Sequence, residues 1–270
     1  MTAAVRIEPG APRPFAQALI MDHRNYRARP DLLRDRVILV TGAGDGIGRC
    51  AALTFAAHGA TVLLLGRTAS KLERVHDEIR AAGHPDPAIV VFDLGKAQGP
   101  AYFDLAEKIG STWGRLDGLL HNAGILGERA PLEQYDIGTW QQVMHVNLTA
   151  PFILTQILLP VLRQAPDASV VFTSSGVGRK GKAFWGAYAV SKFGTEGLAQ
   201  VLAEETRDST SIRVNCINPG GTRTAMRRKA YPGESPDARP EPATLMPTYL
   251  YVLGPDSRAV TGQGFDCQGV

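Results

Sequence analysis

The chain has little of what marks several protein classes. It has three cysteines in 270 residues, Cys50, Cys216 and Cys267, far apart and with no CxxC pair. An odd, scattered set excludes a disulfide framework and a thiolate zinc site, and fits reduced thiols in a cytoplasmic protein. The six histidines show no metal-ligand spacing, so no metal is expected. The formal net charge is only +3 and no dense basic block stands out, which argues against nucleic acid as a partner. The longest apolar run, residues 151–162, carries Thr155, Gln156 and Pro160 and falls short of the ~20 residues of a membrane span, so no membrane is expected. There is no internal repeat and no low-complexity tract.

What is present is an alternation of short apolar runs with amphipathic stretches. The runs 36–40 (RVILV), 60–65 (ATVLLL), 88–92 (AIVVF), 116–121, 169–172, 212–217 (IRVNCI) and 264–267 read as strands. Continuous apolar runs suit strands buried on both faces. Helical patterns fall between them, over 70–82, 100–111, 136–163, 186–205 and 244–253. Strand and helix in alternation predict parallel βαβ units: an α/β, single-domain, doubly wound Rossmann sheet of about seven strands over 31–270. Residues 1–30, rich in Pro, Arg and Ala, read as a flexible arm. Their apolar part, 15–21, is short and holds Gln17, unlike a secretory signal. Met21 is a candidate second start.

Three stretches carry chemistry. The first is TGAGDGIG, residues 41–48, between the first strand and its helix. Gly42, Gly46 and Gly48 would let the backbone approach a pyrophosphate, with Gly44, Asp45 and Ile47 lining the same turn and the helix start holding its charge. At the end of the second strand stands Arg67, with no acid beside it, which favours NADP over NAD. Asp45 argues mildly against, because its charge would repel a phosphate. Asp93 and Leu94, after the third strand, could reach the adenine.

The second is Ser175 with Tyr188 and Lys192. Four residues apart on a helix, Tyr188 and Lys192 share a face. A lone phenol titrates near ~10, and a nearby ammonium would lower it into a useful range. The Ser175 hydroxyl could hold a polarised carbonyl oxygen. A Tyr/Lys pair alone is commonplace on solvated helix faces; the surrounding pattern gives it meaning. The third is Asn147, four residues before Pro151. Proline has no N–H, so the helix over 136–163 should open near Asn147 and free a carbonyl for a water. Arg179, Lys180 and Lys182 in the following loop read as solvated, and the charged, Pro-rich stretch 226–242 reads as a mobile lid.

Taken together, TGAGDGIG (41–48), DL (93–94), HNAG (121–124), VNL (146–148), Ser175, YAVSK (188–192) and NPGGTRT (218–224) resemble the short-chain dehydrogenase/reductase (SDR) family. VFTSSGVGRKGKAFWGAY and RVNCINPGGTRTAMR resemble its YciK-like bacterial oxidoreductases. The resemblance implies an NAD(P)-dependent oxidoreductase that interconverts a carbonyl and an alcohol on a small-molecule substrate. It implies Tyr188 as general acid/base, Lys192 lowering its pKa and bonding the nicotinamide ribose, Ser175 positioning the carbonyl and Asn147 holding a relay water. It places Asn122, Ala123 and Gly124 against the adenosine ribose, Pro219, Gly220 and Thr222 beside the carboxamide, and Thr224 at the carboxamide or phosphates. It implies a homodimer or homotetramer, the dimer pairing through helices 136–163 and 186–205. His121, Thr222 and the tail TGQGFDCQGV depart from the family pattern, and the tail weakens the case for a tetramer contact at the last strand. A nucleotide-sensing protein on this fold, or an epimerase or dehydratase, is the alternative reading.

Overall fold

The computed structural model describes residues 22–269. Seven parallel strands form one sheet in the order β3-β2-β1-β4-β5-β6-β7. They are β1 (Val37–Thr41), β2 (Thr61–Gly66), β3 (Ala88–Val91), β4 (Gly118–His121), β5 (Ala168–Thr173), β6 (Ile212–Asn218) and β7 (Gly264–Asp266). The helices are α1 (Gly46–Ala57), α2 (Ala69–Ala81), α3 (Gly99–Trp113), α4 (Ile137–Met144), α5 (Ala150–Leu162), α6 (Gly186–Thr206), α7 (Ala225–Ala230) and α8 (Met246–Leu253).

The apolar runs are continuous because each face of the sheet has its own core. Along β1, Ile38 and Val40 pack with Phe55 of α1, Val75 of α2 and Tyr249 of α8. Val37 and Leu39 turn the other way, into the layer of Ile109, Leu154 and Ala203 from α3, α5 and α6. Adjacent side chains point to opposite faces of a strand, so a strand covered on both sides reads as a near-continuous apolar run. The segment Ile137–Leu162 is long and apolar enough to cross a bilayer by length and composition, with mean hydropathy 1.5. Its Leu154, Leu158 and Leu162 instead lie fully buried in the core of this second face.

The winding reverses between β1 and β4, opening a crevice at their carboxyl ends. Thr41 ties the crevice together. Its hydroxyl donates to the Leu120 carbonyl and accepts from the backbone N–H groups of Asn122 and Ala123, at 3.2, 2.9 and 3.0 Å.

The opposite end of the sheet is bolted by charge. Asp167 is 2% exposed and takes Arg36 Nη2 at 2.5 Å and Arg213 Nε at 2.9 Å. Arg213 also donates to the carbonyls of Val252 and Gly254, satisfying groups at the end of α8 that no longer have helical partners.

Residues 22–30, expected in the arm, are largely exposed but anchored to the fold at Tyr26, with Ala28 half-buried against the core. Asp22 caps the turn His23–Asn25, and Tyr26 is buried edge-on against Tyr251 with its hydroxyl donating to Asp256 at 2.7 Å. An aromatic ring with a satisfied hydroxyl is enough to anchor so short a segment. The expectation for residues 1–21 lies outside the described residues.

Asp167→Asn should therefore lower the unfolding free energy by about 3–5 kcal/mol, since it strands two buried guanidinium groups. Urea denaturation checks it. Burial would raise the Asp167 carboxyl, but Arg213 and Arg36 outweigh it and hold it below the usual range. Its folded value is depressed, so its stabilisation is complete above the unfolded value of about 3.9 and fades as pH falls through the lower, folded value.

Candidate functional site

One cleft of about 1060 Å³ runs along the carboxyl ends of the strands, from α2 past the crevice to α7. That is room for a dinucleotide and a small substrate together. Its floor is the glycine turn after β1. Gly42 has φ +68°, and a Cβ there would lie 3.0 Å from the Ala123 Cα. A Cβ on Gly48 would collide with the Gly42 carbonyl oxygen, so this turn folds tightly against the start of α1 only without side chains. Gly44, Asp45, Gly46 and Ile47 line the cleft beside them, as do Asp93, Leu94, Asn122, Ala123 and Gly124.

Asp45 does not face the cleft alone. It caps α1 through the Gly46 N–H at 2.8 Å, and its other oxygen takes Lys71 Nζ at 2.5 Å. Lys71 lies in α2 and, with Arg67 and Thr68, lines the same end of the cleft. The repulsion expected from Asp45 is thus met by a counter-charge 26 residues along the chain. Arg67 is exposed at this end, with no acid paired to it among the described residues.

At the other end stands the Ser–Tyr–Lys set. Lys192 is 5% exposed, its Nζ donates to the Thr173 carbonyl at 2.7 Å, and it lies 5.8 Å from the centre of the Tyr188 ring. The one-turn spacing does put both on one face of α6. Ser175, just after β5, lines the same wall. Its loop lies directly on α6 because Gly178 has no Cβ; one there would stand 2.7 Å from the Lys192 Cβ.

The electrostatics differ from the sequence expectation. The Tyr188 phenol is not lowered: burial pushes it up to about 12, against the pull of the neighbouring Ser175 hydroxyl. Burial also lowers the Lys192 ammonium to about 8, opposed by Cys216 and Glu196. Desolvation penalises the charged form of each group, and it is the largest cause of both shifts. In this state Tyr188 is a protonated acid at neutral pH.

Asn147 sits where the helix opens. Residues His145–Thr149 form a π turn between α4 and α5, the local widening that Pro151 leads one to expect. The carbonyl of Asn147 does not stand free, however, because the Thr195 hydroxyl approaches it at 3.4 Å. The side chain clamps the backbone of Ile125 at two points, 2.8 and 2.9 Å, and donates to Ser191 Oγ at 3.1 Å. Ser191 in turn donates to the Tyr188 carbonyl at 2.8 Å. Asn147 thereby ties the 122–125 turn to the helix that carries Tyr188.

Pro219, Gly220, Thr222 and Thr224 line the cleft after β6. Thr224 caps α7 by accepting from the Arg227 N–H at 3.1 Å. The stretch expected to be a mobile lid is held by ion pairs. Glu234 takes Arg227 at 2.5 and 2.7 Å and Arg239 at 2.8 Å, while Arg223 meets Asp237 and Glu241. Arg179, expected to be solvated, bridges Glu196 at 2.9 Å and Asp266 at 2.9 Å. His121 is buried, stacks on Phe172 and shares a hydrogen bond with Thr155 at 2.8 Å; burial and Lys192 hold it neutral, near 3. Sequence reasoning missed Lys71, Ser191, Trp185 and Tyr231. Ser191, inside YAVSK (188–192), and Trp185, immediately before the helix of Tyr188, carried a positional signal.

Comparison with known proteins agrees with this geometry. A family model described as short chain dehydrogenase matches residues 36–235. The uncharacterized oxidoreductase YciK of Escherichia coli K12 is 52% identical over 244 residues, covering 90% of this chain and 96% of that protein. A short chain dehydrogenase structure from Salmonella enterica serovar Typhi superimposes with a TM-score of 0.89 at 53% identity, over 90% of this chain and all of the other. A Shigella flexneri 2a relative solved in complex with NADP gives 0.87 at 52% identity, over 89% of this chain and all of the other. A chain that matches the model over most of its length, and folds as these relatives do, belongs to the short-chain dehydrogenase family of oxidoreductases.

Proposed function

We propose that this oxidoreductase is an NADP-preferring reductase of carbonyl compounds, working by proton donation from Tyr188. The observation that carries this reading is a buried phenol, beside a serine hydroxyl and a buried lysine, in the cleft that leads from the glycine turn. The glycine turn fits a dinucleotide, because its close packing leaves backbone rather than side chains facing the pyrophosphate position. Arg67 and Lys71 would hold the 2′-phosphate end; Lys192 would meet the nicotinamide ribose. The NADP found in the Shigella flexneri relative supports the same choice. The bound dinucleotide supplies the hydride.

The protein's own part is orientation and proton transfer. Ser175 holds the substrate oxygen by a hydrogen bond. Tyr188 gives its proton to that oxygen as negative charge develops there. Lys192, while charged, stabilises the phenolate left behind. Asn147 keeps α6 and the 122–125 turn in register, so that the phenol and the cofactor turn face each other.

Tyr188→Phe should reduce turnover by about 10²–10⁴-fold, the usual share of a general acid, while the NADPH dissociation constant stays nearly unchanged. Steady-state rates and fluorescence titration separate the two, and equal turnover by the variant would defeat the assignment. The rate of reduction should be level through neutral pH and fall above about pH 8, as Lys192 loses its proton. A profile that rises across this range would contradict the role given to Lys192. For the cofactor end, Lys71→Met should weaken NADPH binding more than NADH binding by leaving Asp45 unpaired. Asp45→Asn in the same chain should recover part of the loss. A double variant no better than Lys71→Met would show that the pair does not set the preference.

A further inference from the structure

The cleft has a second, differently built half beyond Tyr188. Its wall is apolar: Leu126, Trp185, Met226 and Ala230 pack around the catalytic tyrosine. Trp185 lies 5.7 Å from the Tyr188 ring and 6.0 Å from the Tyr231 ring. At the far end of this wall the Lys182 ammonium stands 3.4 Å from the Tyr231 hydroxyl.

Tyr231 is held there by charge. The Arg227 guanidinium lies 3.8 Å from its ring centre and that of Arg129 lies 4.9 Å away. Arg129 also donates to the Ala230 carbonyl, and Arg227 is occupied by Glu234. These arginines are therefore committed to fixing the phenol in place. Lys182 has no carboxylate partner among the described residues. Among the described residues the acids lining the cleft are Asp45 and Asp93, both at the dinucleotide end. With Arg227 paired to Glu234, the substrate half presents the Lys182 ammonium and the Tyr231 hydroxyl, and no carboxylate among the described residues pairs with Lys182.

We infer that the substrate is an aldehyde or ketone on a flat apolar body that ends in an anionic group, taken by Lys182 and Tyr231. The inference rests on the carbonyl-reductase reading and names the substrate class for that site. The body lies along Leu126, Trp185 and Met226, the carbonyl meets Ser175 and Tyr188, and the anion accepts from the ammonium and the phenol. In the reaction the carbonyl carbon gains the hydride of NADPH and its oxygen gains the Tyr188 proton, leaving NADP⁺ and the alcohol. An ammonium without a carboxylate partner, beside a phenolic hydroxyl, favours an anionic ligand through charge complementarity, and its effect weakens with salt.

The test compares 4-carboxybenzaldehyde with its methyl ester, methyl 4-formylbenzoate, at saturating NADPH. The wild-type protein should favour the carboxylate in kcat/KM by about tenfold at low salt, a ratio that shrinks as salt is added. Lys182→Gln should bring the ratio to about one, and Tyr231→Phe, which keeps the ring, should lower it in part. An ester reduced as well as the acid, or a ratio unmoved in Lys182→Gln, overturns the inference. If neither aldehyde is reduced by protein that binds NADPH, the reductase reading fails. The anion site is then read by calorimetry, from binding of 4-(hydroxymethyl)benzoate and its methyl ester to the NADP complex. Preference for the acid, lost in Lys182→Gln, sustains the site; equal binding or none overturns it.

Discussion

A buried ammonium is the constraint around which the site is built. Lys192 is closed off from water, so its charge must be met inside the protein. The Thr173 carbonyl meets it, at the last residue of β5. That bond fixes the distance between α6 and the sheet. The loop carrying Ser175 must then lie flat on α6, which Gly178 permits, and the phenol one turn before the lysine is held at the cleft wall. The low polarity that makes the lysine expensive to charge also keeps Tyr188 protonated. One buried pair thereby sets both the position and the proton state of the acid.

The inner strands were legible because burial on both faces leaves near-continuous apolar runs, as in VILV and VLLL. The glycine turn and the Tyr/Lys spacing were legible because their geometry is local. The opening of the long helix followed from one missing N–H at Pro151, four residues after Asn147. What stayed hidden depends on contacts between distant segments. Nothing in the sequence pairs Asp45 with Lys71, or places Arg179 between Glu196 and Asp266. The stretch after Thr224 looked mobile because its prolines and charges have no period. Its order comes from Glu234 binding two arginines at once, which composition does not reveal. The direction of the Tyr188 shift was misread for the same reason, since desolvation is a property of the fold.

The sheet keeps its two ends apart in purpose. At one end Asp167, Arg36 and Arg213 lock the strands and the last helix to one another. At the other, turns and short helices surround the reacting atoms, held by their own glycines, caps and ion pairs. The wall formed by Trp185, Met226 and Tyr231 belongs wholly to the second end.

This separation bears on how the molecule can be changed. The segments that would choose a substrate sit on connections between strands, and none of them contributes to the lock beneath. Substituting along the wall of α7 should redirect what the cleft accepts while drawing on none of the cooperativity that holds the strands. The scaffold and the recognition surface are in this sense two separately variable parts of one polypeptide, joined through α6, which spans both.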